Sequence, residues 1–239
     1  MRRDGAKRVG LVELVAALSA IIGLWTAADV VRAAGAKQGV DVRASRVYVF
    51  VDKTGLGHEH GVEGRLKAGT ISLGKTADAG ELSFDMTSFR ADTPAARKYV
   101  GLSGTTSAST RKQVDANMLG EKVLDVAHYP TATFHIDSAR MIGKKSRRGY
   151  PIAELKGRFS LHGVTRRVSM LTELIEKDGR VRIRGGFRIR QSDYGIKPFT
   201  KAFGAIGVAD ELRIYGEIVL AGRPAASTAR QPSGAEGTR

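Results

Sequence analysis

One segment, residues 180–191, constrains the fold more than any other, because its apolar and basic residues alternate without exception. One face carries Val181, Ile183, Phe187 and Ile189, and the other carries Arg180, Arg182, Arg184, Arg188 and Arg190. A period of two is typical of a β-strand with one buried and one solvent-exposed face. Such a strand is not stable alone, so the pattern predicts a sheet whose apolar faces share an interior.

The same alternation recurs along the chain from Ser45 onward. The apolar residues concerned are Val47/Val49/Val51, Val62/Leu66, Leu82/Phe84/Met86, Ala132/Phe134/Ile136, Ala153/Leu155/Phe159/Leu161 and Leu212/Ile214/Ile218/Leu220, with residues 164–174 and 70–73 as less regular candidates. This makes roughly eight strands. One-sided antiparallel strands close into a barrel or stack as a sandwich, because their edges need partners. We predict an all-β fold, an antiparallel eight-stranded barrel.

A short helix is predicted to interrupt the strands. Ser107 or Ser109 can cap its start, and Gly120 stands where a left-handed stop is expected. Its apolar side is made of Val114, Met118 and Leu119. We interpret this helix as a lid or plug over one end of the barrel, and residues 94–104 before it as a loop or a short helix.

The two ends of the chain lack the strand-like alternation of its centre. A basic start, an apolar run over residues 14–25 and the small residues Ala34 and Ala36 indicate a signal peptide over residues 1–36. This predicts a periplasmic or secreted protein; an uncleaved membrane anchor is the alternative, although Glu13 disfavours a span. We expect a linker over residues 37–44, the barrel over 45–221 and a disordered tail over 222–239.

Composition narrows the function classes. The chain has no cysteine, which excludes disulfides and thiolate chemistry, and its formal net charge of +15 favours anionic partners. Nucleic acid is a poor candidate, because the arginine face of residues 180–190 carries no aromatic side chains for base stacking. The basic clusters at residues 144–148 and 166–167 instead allow contact with a membrane surface.

Two histidines are the most suggestive polar residues. On an extended strand His58 and His60 point the same way, toward the interior near the barrel mouth, since they share a face with Val62 and Leu66. They are candidates for meeting the polar head of a ligand. The alternative is a metal site or a metal-dependent enzyme, which needs a third ligand from elsewhere. No nucleophile, phosphate loop or paired carboxylates suggest catalysis, so we expect a protein that is not an enzyme.

Five short blocks follow one another between about residues 46 and 221 in an order that carries a family resemblance. They are residues 57–64 (GHEHGVEG), residues 118–119 leading to 129–134 (YPTATF), residues 157–166 (GRFSLHGVTR), residues 190–196 (RQSDYGI) and residues 208–212 (VADEL). Together they resemble the YceI-like family, named for polyisoprenoid binding. The resemblance implies an extended lipocalin-type barrel that holds an isoprenoid or other long-chain amphiphile non-covalently along its interior. Residues 94–109 are longer than is usual in the family.

An eight-stranded barrel has room for packed side chains or one slender ligand. By alternation the ligand-lining residues are predicted to be Phe84, Met86, Phe134, Ile136, Phe159, Ile183, Phe187, Ile189, Leu212 and Ile214. A basic scaffold that binds an acidic partner, with a barrel filled by its own side chains, is a further alternative. The sequence leaves the oligomeric state open, a homodimer included.

Overall fold

The computed structural model describes residues 36–221. Its strands are β1 (Gln38–Gly39), β2 (Arg46–Gly55), β3 (His60–Ile71), β4 (Gly80–Ala91), β5 (Thr131–Lys145), β6 (Pro151–Leu161), β7 (Val164–Lys177), β8 (Arg180–Arg190), β9 (Thr200–Lys201) and β10 (Ile206–Val219). Its helices are α1 (Pro94–Val100) and α2 (Ala108–Leu119), with short 3-10 turns at Ser192–Tyr194 and Ala202–Gly204. The predicted signal peptide, apart from Ala36, and the predicted tail lie outside the described residues.

Eight long strands pair into a closed antiparallel ring. The order is β3-β2-β10-β8-β7-β6-β5-β4, and β4 pairs back onto β3, so none of these eight described strands is left as a sheet edge. This confirms the predicted all-β barrel. The predicted separate strand over residues 70–73 is wrong, because Thr70 and Ile71 are the last residues of β3, which continues through two register shifts.

Residues 37–44, predicted to be a linker, are part of the barrel. Gln38 and Gly39 in β1 pair with Ile71 and Thr70 of β3. The carboxylate of Asp41 then accepts hydrogen bonds from two backbone N–H groups in the following turn. Two residues are too few to show an alternation in the sequence, and only the free edge of β3 beyond its pairing with β2 makes them a strand.

The two ends of the barrel differ. At the closed end, where β3 ends and β4 begins, Ile71, Ile136 and Leu220 are completely or almost completely buried in a packed core. The opposite end, here called the lid end, is where β3 begins and β4 ends. There Asp115 of α2 accepts a hydrogen bond from the backbone N–H of Ala91, the last residue of β4, at 2.7 Å. Helix α2 therefore covers the lid end of the barrel.

Both helices begin where the sequence supplies a cap. Ser107 accepts a hydrogen bond from the N–H of Thr110 at 3.2 Å, which starts α2 as predicted. The predicted left-handed stop at Gly120 is wrong: its φ is −71°, and α2 ends in an extended residue. Thr93 caps α1 with Pro94 in its first turn, and Gly101 ends it with φ 81°. Among residues 36–221, no helix is long and apolar enough to cross a membrane.

Candidate functional site

The interior of the barrel holds a cavity of about 220 Å³. The structure places nine of the ten predicted apolar residues on its wall: Phe84, Met86, Phe134, Phe159, Ile183, Phe187, Ile189, Leu212 and Ile214. The tenth, Ile136, is fully buried but does not reach the cavity, because it lies in the packed core of the closed end next to Ala79. Contact between these residues and a ligand stays a prediction.

Helix α2 supplies part of the cavity wall. Val114, Asn117 and Met118 line it, and Val123 and Leu124 continue the lining after the helix ends. The interpretation of this helix as a lid is therefore consistent with its position. The side of α2 that faces the cavity carries short side chains and one flexible methionine, Met118. The helix can therefore adjust to a ligand more easily than the strands can.

Few polar side chains reach the cavity. They belong to His60, Asn117, Thr172 and Gln191. Thr172 donates its hydroxyl to the carbonyl of Ala153 at 3.1 Å, and Gln191 donates its side-chain amide to Ala209 at 2.8 Å. Since these donors are already engaged by the barrel, His60 and Asn117 at the lid end are the groups best placed to meet a polar atom of a ligand.

His60 is held by a buried carboxylate. Its Nδ1 lies 2.7 Å from Oδ2 of Asp92, and the other oxygen of Asp92 accepts hydrogen bonds from Arg97 and from the backbone N–H of Gly61, each at 3.2 Å. The side chain of Asp92 is only 2% exposed. Because Nδ1 is occupied, Nε2 is the nitrogen of His60 that remains for a ligand.

The environment of Asp92 favours its ionised form. Burial by itself raises the pKa of this carboxyl, but the hydrogen bond and charge of His60, the N–H of Gly61 and the Arg97 guanidinium together hold its pKa below the ordinary value. Asp92 also adopts a left-handed backbone conformation, with φ 52°, which aspartate tolerates better than most residues. The carboxylate is thus a fixed negative charge beside the cavity mouth.

The predicted pairing of His58 with His60 does not occur. Strand β3 begins only at His60, so His58 lies in the preceding loop and is exposed to solvent. The expected alternation is absent here because the strand has not yet begun at His58; Gly57 still belongs to the turn after β2, where its N–H donates to the carbonyl of Thr54 at 3.1 Å. In the part of the chain that the structure describes, no three His, Cys, Asp or Glu residues are grouped to hold a metal ion.

Two residues of this site were missed from the sequence. Asp92 is 32 positions from His60 in the chain, and Arg97 follows five positions later on α1. A local signal was present: Thr93 and Pro94 form a helix start, and an aspartate directly before them is typical of a tight turn. What the signal could not give was the partner, which depends on β4 closing the ring beside β3.

The wall of the barrel is weakest between β7 and β8. Their pairing runs from Lys177 opposite Arg180 only to Thr172 opposite Gly185. Beyond this point residues 164–171 pair only with β6, and residues 186–190 only with β10. We call this unpaired stretch the β7–β8 seam. The turn at Ser192–Tyr194 packs against both strands and fills its lid-end part, where Tyr194 lies edge-on to Phe159.

Side-chain burial changes at the seam. Thr172 and Leu174 face inward from the paired half of β7 and are 3% and 4% exposed. Val168 and Met170 have the same inward register in the unpaired half but are only half-buried, and Arg166 is exposed. Extending the register would set Arg167 opposite Arg190, and like charges facing each other across strands are destabilising. Repulsion between these two arginines therefore opposes the pairing of β7 with β8 along the seam.

A closed antiparallel barrel of lipocalin type, with an apolar cavity and a lid helix, is the class that this fold and site define. A model of the YceI-like domain matches residues 39–220, and the chain therefore belongs to the YceI-like domain family. The match begins at β1 and ends after β10, so it covers the whole ring. No curated protein matches the chain significantly in sequence.

Two solved structures share this fold. BcnA of Burkholderia cenocepacia superposes with a TM-score of 0.51 at 18% sequence identity, covering 75% of this chain and 98% of that one. A polyisoprenoid binding domain from Saccharophagus degradans, implicated in plant cell wall breakdown, superposes with a TM-score of 0.52 at 14% identity, covering 79% of this chain and 99% of that one. At such identities the likeness concerns the fold alone.

Proposed function

We propose that this protein binds a long apolar amphiphile, an isoprenoid or a similar lipid, with its tail inside the barrel. The observation that carries the proposal is the apolar cavity that runs between the lid end and the closed end, with lining residues from His60 to Ile71 of β3. Family membership and the polyisoprenoid binding domain with the same fold support it. The protein acts by binding rather than by catalysis.

The dimensions suit a slender chain. The 12 residues of β3 extend over about 40 Å and, tilted by about 40°, span roughly 30 Å along the barrel axis. Apolar cavities of about 150 Å³ already admit benzene. A cavity of about 220 Å³ therefore takes a short chain segment as it stands. A longer chain displaces flexible lining residues such as Met86, Met118 and Met170.

Chain length should decide affinity. Burial contributes about 0.8 kcal/mol for each methylene, whereas association costs about 4 to 15 kcal/mol. A tail of about ten carbons is then held marginally, and one of about twenty or more is held tightly. The polar head lies at the lid end, where Nε2 of His60 and the amide of Asn117 can contact it. Export through the signal peptide of residues 1–36 would place the carrier in the periplasm or outside the cell.

The test uses residues 37–239, which contain every strand of the ring and both described helices. The chain is purified from an isoprenoid-containing host, and an organic extract is analysed by mass spectrometry, with metal analysis of the same sample. A near-stoichiometric polyprenyl species supports the proposal. An extract without lipid, beside one equivalent of a transition metal, would contradict it.

A cavity-filling variant makes the test specific. Gly216 faces the cavity, and a Cβ added there would approach Ile218 no closer than 3.7 Å, an ordinary contact. Gly216→Phe should therefore fold, fill the cavity and lose the extracted lipid. Gly216→Ala is the matched control and should keep it. Lipid retained by Gly216→Phe would mean that the ligand lies outside the barrel.

A further inference from the structure

A cluster of large apolar side chains is exposed at the lid end. Leu56 is 80% exposed, Phe203 is fully exposed and Ile206 is 39% exposed. They lie together, because the N–H of Leu56 bonds to the carbonyl of Ala205 at 2.9 Å and Ile206 pairs with Gly55. We call these three residues the apolar tip. Single exposed leucines are common on protein surfaces, but a cluster with a protruding phenylalanine indicates a contact surface.

The backbone holds the tip outward under strain. Ala202 and Phe203 have φ values of 49° and 55°, in the left-handed region that residues with a Cβ rarely adopt. Two consecutive residues of this kind turn the phenylalanine away from the barrel, although Phe199, four positions earlier, reaches the cavity wall. The ring of Phe203 is not buried against any described part of the chain, so its own packing does not offset this strain. A partner outside the chain would compensate for it.

The charges around the tip identify the partner. Lys201 lies directly opposite Ile206, Lys53 lies opposite Val208, and Lys197 is exposed in the loop before β9. Of the carboxylates on the neighbouring segments, Asp52 lies 3.9 Å from Arg213, Asp210 accepts hydrogen bonds from Ser192, Glu211 lies 3.0 Å from Arg188, and Glu59 is exposed. Apolar and aromatic side chains ringed by lysines suit the interface of a bilayer with anionic headgroups, where the rings enter the lipid and the ammonium groups stay in the headgroup layer.

The tip is continuous with the cavity. The N–H of Val208 bonds to the carbonyl of Phe199 at 3.1 Å, and both side chains line the cavity directly behind the tip. A bilayer seated on Leu56 and Phe203 would therefore face the lid end rather than a closed wall. A protein partner fits less well, because three side chains are far fewer than a stable interface requires.

We propose that the apolar tip inserts into the interfacial layer of an anionic lipid bilayer and presents the lid end of the cavity to it. The docking stands on the tip itself, whereas its purpose, exchange of a lipid between bilayer and barrel, rests on the function proposed above. The lysines bring the protein to the surface, and Leu56 and Phe203 hold it there.

The sequence offers a clean probe of insertion. Trp25 is the single tryptophan of the chain and is absent from residues 37–239. When Phe203→Trp is introduced into residues 37–239, the protein carries a single tryptophan, at position 203. With vesicles of phosphatidylcholine and phosphatidylglycerol in equal parts, its emission should shift to shorter wavelength and become protected from an aqueous quencher. With phosphatidylcholine alone the change should be much smaller, and added salt should reduce the change seen with the anionic vesicles.

Variants distinguish insertion of the apolar tip from nonspecific adsorption to vesicles. Leu56→Ser with Phe203→Ser should weaken sedimentation with the anionic vesicles roughly tenfold. Lys53→Gln and Lys201→Gln should each weaken it by roughly fivefold. The matched control is Leu171→Ser, because Leu171 is 57% exposed on β7, away from the tip. It should sediment like the parent, and circular dichroism should show the same fold in every variant.

Three outcomes would overturn the proposal. The emission of Phe203→Trp could stay unchanged with both kinds of vesicle, or Leu171→Ser could lose as much binding as the tip variant. The tip variant could also convert a dimer to a monomer and leave vesicle binding intact, which would make the tip a contact between two copies. The organic extract of the tip variant separates docking on the bilayer from lipid binding inside the barrel. If the extract still contains lipid, the variant has lost docking and kept lipid binding.

Discussion

Oδ2 of Asp92 lies 2.7 Å from Nδ1 of His60 and thereby ties the end of β4 to the start of β3 at the lid end of the cavity. The same carboxylate takes a hydrogen bond from Arg97, which ties α1 to this corner as well. One buried charge thus joins three elements and fixes the histidine beside the cavity. A ligand would meet an imidazole whose orientation is set before it arrives.

Asp92→Asn should destabilise the fold by about 2 kcal/mol at pH 7, because hydrogen bonds to a charged group are lost. Asparagine tolerates the left-handed conformation of residue 92, so the change isolates the charge. Since folding lowers the pKa of Asp92 below 3.8, its contribution is complete above that pH and is lost as the pH falls through the folded value. Urea unfolding of both proteins should therefore show a difference that shrinks below about pH 4. A difference independent of pH would contradict the ionic role of Asp92.

Two glycines that face the interior should respond oppositely to alanine. A Cβ at Gly64 would clash with the ring of Phe89, whereas one at Gly216 meets only ordinary contacts. Gly64→Ala should cost about 1 to 3 kcal/mol, because the buried ring must move. Gly216→Ala should stay within about 0.5 kcal/mol of the parent. Thermal unfolding measures both, and Phe89→Leu should restore part of the stability of Gly64→Ala. Equal losses at the two positions would show that the ring of Phe89 is not the cause.

Arg167→Glu should stabilise the barrel by about 0.2 to 1 kcal/mol, although it replaces one charge with its opposite. Arg167 lies directly opposite Arg158 on β6, and across the β7–β8 seam it would face Arg190. A glutamate there meets two cations, so the seam should close further and amide exchange along residues 164–171 should slow. Lys67→Glu is the control, because Lys67 is exposed on β3 at the far side of the ring and lies in the register shift between Leu66 and Ala68, where neither β2 nor β4 pairs with it. A parallel gain in that variant would point to reduced net charge instead.

Ala202→Gly should raise the free energy of unfolding by up to about 1 kcal/mol, because glycine adopts positive φ without strain. The tip should keep its conformation, so binding to anionic vesicles should change little. Chemical unfolding and vesicle sedimentation of the same preparation check both statements. A loss of stability would show that the strain at residue 202 is not relieved by removing the Cβ.

The helix ends show how far local sequence goes. Thr93 with Pro94 and Ser107 with its following turn act as caps without reference to distant parts of the chain, and α2 starts where its cap predicts. Gly120 fails as a left-handed stop because the chain after α2 is held by hydrogen bonds from residues 123–126 back to residues 118–120. The loop that follows α2 therefore determines the backbone conformation at the end of the helix.

The order of residues was enough to predict which side chains face inward, because a strand turns alternate residues to opposite faces whatever surrounds it. That is why nine predicted lining residues reach the cavity. The residue at which the alternation begins, and the polar groups that come into contact, depend on the complete fold. The fold leaves His58 in the loop before β3, brings Asp92 to His60 across 32 positions, and interrupts the pairing of β7 and β8. Such relations depend on register and ring closure, which couple residues that carry no common local pattern.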